Sequence, residues 1–154
     1  PSQQIVWPIH ASSVEGQEFA TEDFVDAVVA DVKSRHKIDK RSVFTLSWSS
    51  GGPAGYAISL AGETPITGSY VAISVFNPDL LPPLENARGH AYFIDHSRDD
   101  RVCPFRMAEE AEQKLKEHEA TVRFNEYEGG HGWRGDVYGR IRGGIEWLEE
   151  AVGN

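Results

Sequence analysis

The chain has 154 residues, 40% of them hydrophobic and 25% charged, a formal net charge of −9 and a single cysteine, Cys103. Such values suit one compact domain with a proper core, and the acidic balance excludes nucleic acid as an expected partner, because phosphate binding needs a basic face. No apolar run approaches the length that spans a bilayer, no charged-then-apolar leader is read before the first strand, and a lone cysteine excludes an internal disulfide framework, so a cytoplasmic protein is expected.

Taken in chain order, strands alternate with helices. Ile5 to Trp7 reads as a short strand ended by Pro8, and Thr21 as the cap of a helix whose Phe24, Val28 and Val32 recur at four-residue spacing. Val43 to Leu46 is a β-rich apolar run that ends abruptly in serine and glycine, and Ala54 to Ala61 reads as the helix that follows, with Pro53 in its first turn. Tyr70 to Phe76 is the next strand, the Pro-rich segment from Asn77 to Asn86 a loop, and Ala91 to Ile94 another strand. Met107, Ala111 and Leu115 mark an amphipathic helix, its charged residues from Glu109 to Glu119 a solvated face. Thr121 to Tyr127 is the last strand, and Ile141, Ile145 and Leu148 mark a closing helix. No repeat appears, and the alternation predicts an α/β fold: a parallel sheet with helices on both faces.

Chemistry concentrates at three of the junctions. In Val43-Phe44-Thr45-Leu46-Ser47-Trp48-Ser49-Ser50-Gly51-Gly52 a serine is displayed at a tight strand-to-helix turn, which thrusts its Oγ out of the sheet and requires small residues two before and two after. Ser49 fits, with Ser47 before and Gly51 after; a frame centred on Ser50 would put Trp48 at the crowded position. Ser47 and Ser50 then read as structural turn residues. A serine hydroxyl needs a base, and the base an acid to orient it. The base candidate is His131 in Glu128-Gly129-Gly130-His131-Gly132-Trp133, after the last strand. The acid candidate lies between Asp95 and Pro104, just beyond the strand from Ala91 to Ile94, at the carboxyl end where such folds place their sites. His10, His36 and His90 read as surface or loop histidines, and His96 as a structural one. A metal site from Asp95, His96, Asp99 and Asp100 is not expected, since no second histidine lies at ligand spacing.

These segments resemble the α/β-hydrolase family, and within it the single-domain serine esterases of the phospholipase/carboxylesterase and dienelactone-hydrolase type. Ser49-Ser50-Gly51-Gly52 corresponds to that family's Ser-x-Gly-Gly elbow. The run His96-Ser97-Arg98-Asp99-Asp100-Arg101-Val102-Cys103-Pro104 resembles its His-Gly-x-x-Asp-x-Val-x-Pro acid loop, with Ser97 in place of glycine. That register assigns the acid to Asp100, with Asp99 as runner-up, and Gly129-Gly130-His131-Gly132 resembles the histidine loop. The order Ser49, Asp100, His131 is the chain order of the scaffold.

The resemblance implies a serine carboxylesterase that hydrolyses short-chain acyl esters through Ser49, His131 and Asp100 by way of an acyl-enzyme, with no cofactor and no metal. The backbone N–H of Ser50 would serve the oxyanion, and Trp48 and Trp133 would line a substrate pocket. The alternatives are a catalytically degenerate binding protein of the same fold and a dienelactone-type or peptide-cleaving serine hydrolase; serine rather than cysteine at the elbow counts against the dienelactone type. Before Val43 the resemblance is weak, and no His-Gly or Gly-Gly pair stands there to supply the second oxyanion donor. A shortened hydrolase is expected, with an exposed strand edge that a second copy covers in a homodimer.

Overall fold

The computed structural model describes residues 7–12 and 16–153. Four strands, β1 (Phe44–Trp48), β2 (Gly68–Ala72), β3 (Ala91–Ser97) and β4 (Thr121–Tyr127), lie side by side in chain order, and every neighbouring pair is parallel. Parallel neighbours need a crossover. Helix α2 (Gly52–Ser59) lies between β1 and β2, and α3 (Phe105–Glu117) between β3 and β4. Two single 3-10 turns, Pro78–Leu80 and Leu84–Ala87, occupy the Pro-rich connection from β2 to β3. Helix α1 (Thr21–Arg35) precedes the sheet and α4 (Val137–Gly153) follows it.

Alternation along the strands divides the core into two layers. Val71, Tyr92 and Ile94 point to one face, where Tyr56 of α2, Leu60 just after it, and Ala108, Ala111 and Leu115 of α3 cover them. Tyr70, Ala72, Ala91 and Phe93 point to the other, where Leu148 of α4 closes the layer. Every residue of β2 and β3 is buried, as expected of central strands covered on both faces. Helix α1 packs on α2, its Val25 joining Ala54, Ala57 and Ile58 of α2 and Ile66.

Several element expectations need correction. Ile5 and Val6 lie outside the described residues, and Trp7 belongs to no strand. Thr21 is the first helical residue rather than the cap, which is Ala20. The Thr21 hydroxyl is already committed, donating to the Pro8 carbonyl at 2.6 Å. On α1 the four-residue spacing marks a face turned largely to solvent: Phe24 is 53% and Val28 44% exposed. The residues of the helix that turn inward are Thr21 and Glu22, which are buried, and Val25, which packs against α2. Helix α2 starts earlier than expected and ends at Ser59 rather than Ala61. The second strand stops at Ala72 instead of reaching Phe76, because Ile73 takes a φ of 38° and the chain leaves the sheet there. β3 runs on to Ser97, so His96 and Ser97 are strand residues.

Candidate active site

In a parallel sheet all carboxyl ends face one way, so loops that leave different strands meet at one rim. Ser49 follows β1, Asp100 follows β3 and His131 follows β4. The fold brings the three into one chain of hydrogen bonds.

At the elbow, Ser49 has a φ of 50°, a left-handed value that costs a non-glycine residue roughly 1–3 kcal/mol and persists only where the surroundings fix it. Those surroundings are specific. Ser74 donates from Oγ to the Ser49 carbonyl at 2.7 Å. A Cβ on Gly52 would lie 1.8 Å from that same Ser74 Oγ. Ser47 is buried, and a Cβ on Gly55 would come within 2.6 Å of its Oγ. The crowded positions are therefore Gly52 and Gly55, which corrects the expectation for Gly51, where a Cβ meets nothing closer than 3.7 Å. Serine two residues before Ser49 fits because Gly55 leaves room for it.

His131 Nε2 lies 2.9 Å from Ser49 Oγ, and His131 Nδ1 lies 2.8 Å from Asp100 Oδ2. An ionised carboxylate only accepts, so Nδ1 carries the ring proton and Nε2 is left to accept from the serine hydroxyl. Asp100 Oδ1 accepts the N–H groups of Val102 at 2.7 Å and Cys103 at 2.9 Å. Burial alone would push the Asp100 carboxyl up. The bonds from His131, Cys103 and Val102 outweigh it and hold the group below the ordinary carboxylate value. Asp99 is exposed and receives no such set of bonds. His96, buried on β3, donates from Nε2 to the Cys103 carbonyl at 3.0 Å and so braces the acid loop. Cys103 is no rival nucleophile: burial first, then the Asp100 charge, push its thiol up to about 11. Asp100, Cys103 and His131 present donor atoms close enough for a metal, but two of the three are already engaged within the hydrogen-bond chain.

A cavity of about 870 Å³ opens at Ser49 and Ser50, walled by Trp7, Ile9, Tyr56, Leu80, Val102 and Met107. Trp48 and Trp133 stand elsewhere. Their rings stack at 6.2 Å, and Trp48 tilts toward His131 at 5.8 Å. Trp48 lines a groove along β1, while Trp133 packs against the α4 layer. The sequence reading did not single out Ser74, Tyr127, Asn125 or Arg140, and it named Asp95 and Ser97 only within the acid segment. None of them carries a local pattern: Ser74, Asp95, Ser97, Asn125 and Arg140 act on residues far away in the chain, and Tyr127 gains its role only where its strand end meets the histidine loop.

The parallel sheet, the helices on both faces and the serine-bearing turn after β1 define the α/β-hydrolase fold. No family model matches the chain, and no curated protein sequence does. Solved structures are similar to it. SOBER1 of Arabidopsis thaliana is 25% identical with a TM-score of 0.68, over 92% of this chain and 67% of that one. A carboxylesterase of Bacillus cereus is 19% identical with a TM-score of 0.69, over 85% of this chain and 60% of that one. An α/β-hydrolase enzyme from a Medee basin deep-sea metagenome, MGS-M1, is 12% identical with a TM-score of 0.72, over 93% of this chain and 69% of that one. The chain has the α/β-hydrolase fold of these esterases and hydrolases, and spans a part of their length.

Proposed function

We propose that this chain is a serine carboxylesterase acting on short-chain acyl esters. The observation that carries the reading is the continuous hydrogen-bond chain from Ser49 Oγ through His131 to the buried Asp100. Ser49 Oγ attacks the ester carbonyl while His131 Nε2 takes its proton, and Asp100 holds the tautomer and steadies the imidazolium. His131 then protonates the departing alkoxide, leaving an acyl group on Ser49. A water, deprotonated by the same imidazole, then attacks the acyl carbon; the bond to Ser49 Oγ breaks, the acid leaves, and His131 returns the proton to Ser49. The N–H of Ser50 stands in the turn Ser49–Gly51 that leads into α2, where the helix end adds positive potential for the oxyanion. The apolar cavity beside Ser49 takes the acyl chain. No cofactor enters this scheme.

Hydrolysis of a nitrophenyl ester series is the test. Wild type is expected to turn over the short esters, Ser49→Ala to be inactive and Ser50→Ala modestly slowed. A fluorophosphonate probe should label Ser49 and spare Ser49→Ala. An unlabelled, inactive wild type would leave the second reading, a binding protein that kept the fold without the chemistry.

A further inference from the structure

His131 stands in a loop that does little to hold itself. Gly129, Gly130 and Gly132 have φ values of 128°, 71° and 148°, conformations that glycine enters freely, and none brings a side chain that could anchor the segment. A working base has to stay within about 0.5 Å of its productive position. Two hydroxyls outside the glycines meet that need. Ser97, buried at the end of β3, accepts the N–H of Gly130 at 3.0 Å. Tyr127, at the end of β4, donates to the Gly132 carbonyl at 2.9 Å, with the Gly130 carbonyl at 3.4 Å. Ser97 and Tyr127 are register partners in the sheet, so the peptides on the two sides of His131 are fastened to one rung of the β3–β4 ladder.

Tyr127 is itself seated from below. The Arg140 guanidinium of α4 lies over its ring at 4.1 Å. That guanidinium donates from Nε to the fully buried Asp95 at 3.1 Å and from Nη1 to the Arg134 carbonyl. Asp95 also accepts from the Tyr70 hydroxyl at 2.9 Å and from Asn125 at 2.7 Å. Breaking one partner out of such a buried network is costly, so the ring under the loop has one place to be. Burial, with the Asp95 charge behind it, pushes the Tyr127 hydroxyl up to about 12, and it stays a donor across the neutral range.

We propose that Ser97 and Tyr127 are positioning residues for His131, a pair of hydroxyls on adjacent strands that clamp the glycine loop on both sides, with Asp95 and Arg140 seating the tyrosine. The proposal rests on the reading of His131 as the base. The β3 side of the clamp is this chain's own, since the acid loop it resembles has glycine where Ser97 stands.

The test compares wild type, Ser97→Gly, Ser97→Ala and Tyr127→Phe in ester turnover, melting temperature and the low-field proton resonance of His131 Nδ1–H. Tyr127→Phe keeps the ring under Arg140 and removes only the hydroxyl. Each variant should lose kcat by about tenfold with KM changed by less than about twofold, melt near wild type and show a broadened resonance. Unchanged kcat, or a loss of kcat that follows a fall in melting temperature while the resonance stays sharp, would overturn the clamp. The resonance requires no turnover. If wild type hydrolyses no ester the esterase reading fails, and the clamp is still decided: broadening in the variants supports it, a sharp line overturns it.

Discussion

Asp100 is a carboxylate kept charged in a buried place, and the means are local. One oxygen takes two backbone N–H groups from its own turn and the other faces His131. Asp99, one residue earlier, is solvated. Replacing Asp100 by Asn should therefore favour the wrong imidazole tautomer and cost about four orders of magnitude in turnover, whereas Asp99→Asn should change it little. Turnover of the two variants beside wild type checks this, and the reverse ranking would move the acid to Asp99. Acid stability follows from the same residues and from His96. Burial above all disfavours the charged form of His96 and holds its pKa below the ordinary 6.5. The unfolded chain then takes up a proton that the folded chain refuses, so stability is level above about 6.5 and falls as the pH drops below it. Asp100 acts lower: its depressed pKa contributes stability that is complete above the ordinary 3.8 and is lost as the pH falls through the folded value. Melting temperature should be flat from about pH 8 to 7 and decline toward pH 5. A flat curve over the whole range would contradict a buried neutral His96.

At the scale of elements, the elbow depends on a contact between β1, α2 and the exit of β2. Gly52 opens α2 directly against Ser74, which holds the Ser49 carbonyl. Gly52→Ala should force these apart, cost about 3 kcal/mol and inactivate the protein, while Gly51→Ala should be tolerated; denaturant midpoints and turnover of the two variants measure it. The contrast also shows what a sequence can carry. Ser49, Asp100 and His131 were legible because each sits in a short segment with its own punctuation, after a strand and among glycines or aspartates. The parallel α/β fold was legible from the alternation of periodic runs. Ser74, Tyr127 and Arg140 were not, because a serine after a strand or an arginine on a helix gains its meaning only from what the fold sets against it. The working face of α1 was hidden for the same reason. Phe24, Val28 and Val32 form a regular stripe, but the helix packs on α2 through Val25, which lies off that stripe, and spacing alone does not say which face finds a partner.

At the scale of the molecule, β1 and β4 are the two edges of the sheet, and β1 is the one that carries large exposed apolar side chains. Among the described residues no strand pairs with its outer edge, and its Leu46 is 49% and its Trp48 40% exposed. An apolar, unpaired edge is a template for another strand, and we propose it as the place where the dimer expected from the sequence would form. Light scattering over a dilution series should give two chains per particle, reverting to one with Leu46→Lys; one chain at every concentration would rule the dimer out. The assembly of the site has a further consequence. Ser49 and His131 are 82 residues apart in the chain, and Asp100 and His131 are 31 apart. Contacts of such separation form late and slowly when a protein refolds, after local helices have returned. On the proposed function, recovery of ester turnover should therefore lag behind recovery of helical circular dichroism, and turnover would become a clock for the last closure of the sheet.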